Sequence, residues 1–106
     1  MILRVKDKDY NLRLNTRGCV NCEKRLGKNP LNVFMEAQDN KMPKITDLMV
    51  ILHECLIPLN HKVSLDDVYD IYDEFCEGGG DIMQLIEVLV GVFEEAGFIP
   101  KEDSKN

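Results

Sequence analysis

The stretch 82–96, IMQLIEVLVGVFEEA, limits the possible folds more than any other in this chain. Asp81 precedes it, a good helix N-cap, with Gln84 in the capping-box position, and Gly97 follows it as a helix-ending residue. On a helical wheel its apolar residues span about 220°, from Val88 round to Met83. Only Gln84, Glu87, Gly91, Glu94 and Glu95 fall outside that arc. A helix that covers one core needs an apolar stripe of about 100° or somewhat more. This helix is therefore either central to the domain or offers part of its apolar surface to another chain. Segment 45–57, ITDLMVILHECLI, poses the same choice, because only Thr46, Asp47, His53 and Glu54 are polar there. A central position is the expectation for 45–57. For 82–96 the expectation is a partner surface on its rims, with Met83 and Val90 on one side and Val88 on the other.

The remaining elements follow from period and punctuation. Residues 2–6, ILRVK, and 10–14, YNLRL, read as short strands, the second alternating Tyr10, Leu12 and Leu14 with Asn11 and Arg13. The polar DKD at 7–9 is the expected hairpin turn. An isolated hairpin is marginal in water, so its apolar face must pack on something. Thr16 reads as the N-cap of a helix over about 17–26 that ends at Gly27. Asn29 and Pro30 read as N-cap and first-turn proline of a helix over 30–38. After the loop DNKMPK comes the helix 45–57, stopped by Pro58. Ser64 opens SLDD, a capping box with aspartate in place of glutamate, for a helix over 65–77. Gly78, Gly79 and Gly80 stop that helix before 82–96 begins. The fold class is thus mainly α (α+β): an N-terminal β-hairpin over 2–14 followed by about five short helices packed as a small bundle. Residues 1–99 form one domain, and 100–106, PKEDSKN with its proline, are expected to be a flexible tail.

A chain of 106 residues is long enough to bury a core of its own. It has no run approaching the roughly 20 apolar residues of a membrane span. The opening MILRVKDKDY lacks the basic-then-apolar order of a signal peptide, so a cytosolic chain with reduced cysteines is expected. The net charge of −6 leaves no basic surface for direct nucleic-acid binding.

Cys19 and Cys22 form a CxxC pair, the spacing of zinc knuckles and thiol–disulfide enzymes. On the wheel they share a side with Leu26, while Arg17, Asn21, Lys24 and Arg25 lie opposite. Free cysteine behaves as a small hydrophobe, so core packing explains all three positions. Zinc would need ligands from His53, Cys55, His61 and Cys76, and His53 and Cys55 point to opposite sides of their helix. A strand before CxxC at a helix start matches the thioredoxin layout, but no parallel strands follow. Residues 73–84, DEFCEGGGDIMQ, imitate a calcium loop yet carry Phe75 at position 3 and Gln84 at position 12. Neither histidine belongs to a nucleophilic constellation, and no phosphate-cradling glycine motif is present. No catalytic centre, metal or cofactor is expected.

The helix 65–77 is two-faced. Leu65, Val68, Tyr69, Ile71, Tyr72, Phe75 and Cys76 fill one side. Asp66, Asp67, Asp70, Asp73, Glu74 and Glu77 fill the other, as a solvated face or as a contact for a basic partner.

In order along the chain, LRLNTRGCVNCEKRLGKNPLNVF, LMVILHECLIPLNHKVSLDDVYDIYDEF and GGGDIMQLIEVLVGVFEEAGF cover about residues 10–98. This order resembles the tail assembly chaperones of long-tailed phages and prophages of Gram-positive bacteria. The resemblance implies a non-enzymatic protein of the bacterial host cytoplasm that binds the tape measure protein before the tail tube polymerises. It also implies a frameshifted longer product whose added domain recruits tail tube subunits, and absence from the mature virion. Self-association is compatible with it. Two other readings stand beside it: an acidic DNA-mimic or regulatory protein-binding module, and a thiol oxidoreductase using Cys19 and Cys22.

Overall fold

The computed structural model describes residues 1–100, so the expected tail over 100–106 lies outside the described residues from 101 onward. A two-stranded antiparallel hairpin, β1 (Ile2–Val5) and β2 (Lys8–Asn11), precedes five helices. These are α1 (Thr16–Leu26), α2 (Pro30–Gln38), α3 (Ile45–Leu56), α4 (Leu65–Glu77) and α5 (Ile82–Ala96).

The hairpin is tighter than its sequence suggests. Val5 pairs with Lys8 and Ile2 with Asn11, which leaves Lys6 and Asp7 as the turn, with Lys6 at φ 57°. The second strand therefore starts at Lys8 rather than Tyr10 and stops at Asn11. The alternation through Leu12 and Leu14 reflects burial, not the ladder: both are core residues beyond its end. There the chain leaves the hairpin and ties to two other places. The Leu12 amide donates to the Met1 carbonyl at 2.7 Å and the Arg13 amide to the Cys55 carbonyl at 2.8 Å.

Caps set most helix ends. Asn15, not Thr16, caps α1, its side-chain oxygen accepting from the Gly18 amide at 2.8 Å. An extended Asn15 leaves Thr16 already helical, so the cap lies one residue earlier than expected. Asn29 caps α2 ahead of Pro30. Both capping boxes form: Ser64 with Asp67 at 2.9 and 3.0 Å, and Asp81 with Gln84 at 3.0 and 2.9 Å. Two hydrogen bonds from Ser64, first its backbone amide and then its hydroxyl, hold the Asp67 carboxyl below its usual range.

Helix α3 is central and packs on the other four helices. Leu48, Met49, Ile51, Leu52, Cys55 and Leu56 are all buried, which accounts for its broad apolar surface. Helix α5 lies against it and buries Leu85, Ile86, Leu89, Val92 and Phe93. The Phe93 ring meets Phe34 of α2 edge-on at 5.1 Å and Phe98 at 6.3 Å. Gly91, outside the apolar arc of the wheel, is buried as well: a Cβ there would overlap the Met1 side chain. The missing side chain is what lets the N-terminus cover this side of α5. The α4–α5 turn uses its glycines in the same spirit. Gly79 sits at φ 100°, and Gly80 makes room for the buried Phe75 ring, which any side chain would strike.

Candidate functional site

The three expected partner-binding residues of α5 do not form one surface. Met83 is 49% exposed. Val88 and Val90 are half-buried and packed against the core, on opposite rims. Val88 lines an open depression with Ile2, Arg4, Phe75 and the three glycines. The core therefore takes up part of the excess arc of α5.

Helix α4 shows the opposite. Its apolar residues span about 160° of the wheel, Ile71 round to Tyr69. Val68, Ile71 and Phe75 are buried in the core, and Leu65 and Tyr72 are partly buried against it. Tyr69 and Cys76, on the apolar side of the wheel, are both exposed, Tyr69 at 43%. The reason is geometric: among the described elements α4 packs mainly on α3 and β1, and these cover a narrower sector than its apolar residues occupy. The flank left open joins the start of α3. Together they form a groove of about 320 Å³ lined by Ile45, Thr46, Met49, Tyr69, Tyr72 and Asp73. Ile45 is 48% exposed at its edge and Met49 closes its floor. The Tyr72 phenol is pushed well above its ordinary range, chiefly by burial and then by its contact with the Cys76 thiol.

The acidic side of α4 is divided in its duties. Asp67 is committed to the cap, Glu77 pairs with Lys6 at 2.8 Å, and Glu74 is half-buried beside a second depression near Lys62. Asp66, Asp70 and Asp73 are exposed and, among the described residues, have no ion-pair partner.

The thiols divide by depth. Cys22 and Cys55 are fully buried, Cys19 is half-buried and Cys76 is exposed. Burial pushes the Cys22 thiol up to about 12, with the Glu54 carboxylate adding to it, and raises Cys55 further. Burial also raises Cys19. An activated thiolate needs the reverse, a lowered value in an electropositive setting. Among the described residues no three His, Cys, Asp or Glu side chains are placed to hold a metal ion. The calcium-like segment is spent on structure, with Glu77 in an ion pair and Asp81 and Gln84 in a cap. In the folded protein, Cys76 alone should react quickly with N-ethylmaleimide, while Cys22 and Cys55 should react only in denaturant. Mass spectrometry of the labelled chain reads this directly, and fast labelling of Cys22 would overturn the packing account.

One polar cluster is missing from the wheel reading. Glu54, placed on the polar side of α3, is 4% exposed, and Arg25 reaches across from α1 to meet it at 2.8 Å. The same guanidinium donates to His53 Nδ1 at 3.1 Å, and His53 Nε2 donates to the Val63 carbonyl at 2.9 Å. A carbonyl can only accept and a guanidinium can only donate, so both contacts suit the tautomer that carries its proton on Nε2. Lys28 makes a similar tie, lying 3.0 Å from Asp47 and 3.7 Å from Glu36 at the junction of α1, α2 and α3. Both clusters staple helices to α3. Only long side chains that reach from one helix to the next make them, so a single-helix wheel gives no sign of them.

A family model matches residues 2–106. The chain belongs to DUF6096, a family of unknown function. The match takes in the hairpin and all five helices, so the family unit includes the whole domain described above. No curated protein and no solved structure matches the chain. Among the described residues no helix is long and apolar enough to cross a membrane.

Proposed function

We propose that the protein is a non-enzymatic tail assembly chaperone of a phage or prophage. In this reading it acts in the bacterial host cytoplasm, binds the tape measure protein and helps recruit tail tube subunits, and is absent from the mature virion. The observation that carries the reading is the unbroken order of resembling segments across about residues 10–98, which fall on the joints of one domain. LRLNTRG spans the exit from the hairpin and the Asn15 cap, LGKNPL the α1–α2 joint, SLDDVYD the α4 capping box and GGGD the α4–α5 turn. The physics is compatible. A long helical protein waiting for its tail tube exposes apolar helical surface, and an acidic domain of net charge −6 with open apolar area can cover it and keep it in solution.

Asp66, Asp70 and Asp73, exposed and without an ion-pair partner among the described residues, favour a second reading, an acidic module that occupies a basic site on another protein. Co-expression with the tape measure protein encoded in the same gene cluster separates the two. The chaperone reading expects the tape measure protein to stay soluble and to co-purify with the tagged chain. A tape measure protein that precipitates as it does alone removes that reading and leaves the acidic module.

A further inference from the structure

We infer that the groove between α3 and α4 is a docking site for an amphipathic helix of a partner protein whose apolar stripe is bordered by lysine or arginine. The inference deepens the chaperone reading and rests on it for a partner that is helical.

The groove has the form such a helix needs. Two helices make its walls, so it is open along its length, and the anchors of an entering helix at i, i+3, i+4 and i+7 would follow that line. Its lining is apolar apart from Thr46 and Asp73. With so few convergent polar groups it is a poor pocket for a small polar ligand. Ile45 and Tyr69 stand 48% and 43% exposed at its edges, large side chains that the chain's own core does not use. Tyrosine with an apolar body and a wet hydroxyl is among the residue types that anchor interfaces.

Charge selects the occupant. Asp73 lies in the groove wall, and Asp66 stands two helical turns before it on the same edge of α4, with Asp70 beside them. None of the three has a cationic partner among the described residues. A second copy of this chain would bring the same acidic edge and its own net charge of −6, which opposes a face-to-face pair. An anionic surface meets the same repulsion. A helix with basic edges satisfies the apolar floor and the carboxylate edge together.

The test uses a labelled synthetic helix of about 18 residues, five turns, with leucines along one stripe and lysines beside it, and a twin with glutamates in place of the lysines. Fluorescence anisotropy should show the lysine peptide binding and the glutamate twin binding more weakly. Ile45→Ser and Tyr69→Ser remove exposed side chains outside the buried core, so circular dichroism should show both variants folded. Each should weaken the lysine peptide about tenfold or more, the factor set by loss of one buried anchor. Asp66→Asn with Asp73→Asn should lessen the preference over the twin and flatten the salt dependence. Equal binding of the two peptides overturns the charge assignment. No binding of either peptide, or weakening by Met83→Ser on α5 but by neither groove variant, overturns the groove. The same variants in the tape measure co-expression keep the two readings apart. Capture that is indifferent to Ile45→Ser and Tyr69→Ser overturns the groove and leaves the chaperone reading standing. Groove-dependent peptide binding without tape measure capture does the reverse.

Discussion

Replacing Phe93 by alanine should cost about 3–5 kcal/mol, a large share of the 5–15 kcal/mol that holds a typical domain folded. Phe93 is completely buried. Its ring meets Phe34 from α2 and Phe98 from the segment after α5, so two other parts of the chain converge on it. Those neighbours are fixed by different elements and cannot all move in to fill the space, which puts this site at the costly end of large-to-small substitutions. Thermal unfolding followed by circular dichroism should show a midpoint at least about 12 °C lower than the parent. Met35→Ala is the control: its side chain lies on α2 and is 57% exposed, and its loss should stay within about 0.5 kcal/mol. A cost below about 1 kcal/mol for Phe93→Ala would mean that this side of α5 is not packed in solution. The broad apolar arc of 82–96 would then be free for a partner.

The wheel alone could not decide that question, and the reason is instructive. An arc records how much of a helix is apolar, not how many neighbours share it. For α3 the breadth means centrality, since the other four helices pack on it. For α5 much of the breadth is taken up by α3 and by the Phe34 ring, while Met1 folds over Gly91 on the side the arc leaves out. Gly91 has no side chain to register on a hydropathy scale, so the contact it permits is invisible until the N-terminus is placed. For α4 the breadth was equally plain in the letters, from Ile71 round to Tyr69, but there the surplus is the part left open. Capping was the most readable layer. Ser64, Asp81, Asn29, Gly27 and Gly97 act through hydrogen bonds within a few residues of themselves, so local sequence determines them. The second strand was misplaced for the converse reason. Leu12 and Leu14 are buried beyond the ladder, where the backbone ties to Met1 and Cys55, partners that a period-2 pattern cannot name.

The Arg25–Glu54 contact is the sharpest case of such a distant partner, and removing one half of it should be worse than removing both. Arg25→Met leaves the Glu54 carboxylate buried with no counter-charge, and burying a lone charge is expensive. Complete burial of both groups would put the loss near 3–5 kcal/mol. The Arg25 side chain is 30% exposed, so water screens part of the interaction, and about 2–3 kcal/mol is expected instead. His53 also loses its donor at Nδ1, but that ring is only half-buried and water can replace the guanidinium. Glu54→Leu alone should cost less, because the remaining guanidinium can turn toward solvent. The double variant Arg25→Met with Glu54→Leu replaces the pair by apolar side chains at the α1–α3 contact and should return to within about 1 kcal/mol of the parent. Urea unfolding of the four proteins closes the cycle, and the coupling between the two sites should be at least about 1 kcal/mol. If instead the double variant loses the sum of the two single losses, the two side chains are not coupled. What fastens α1 to the central helix is then the apolar contact through Cys22 and Cys55 alone.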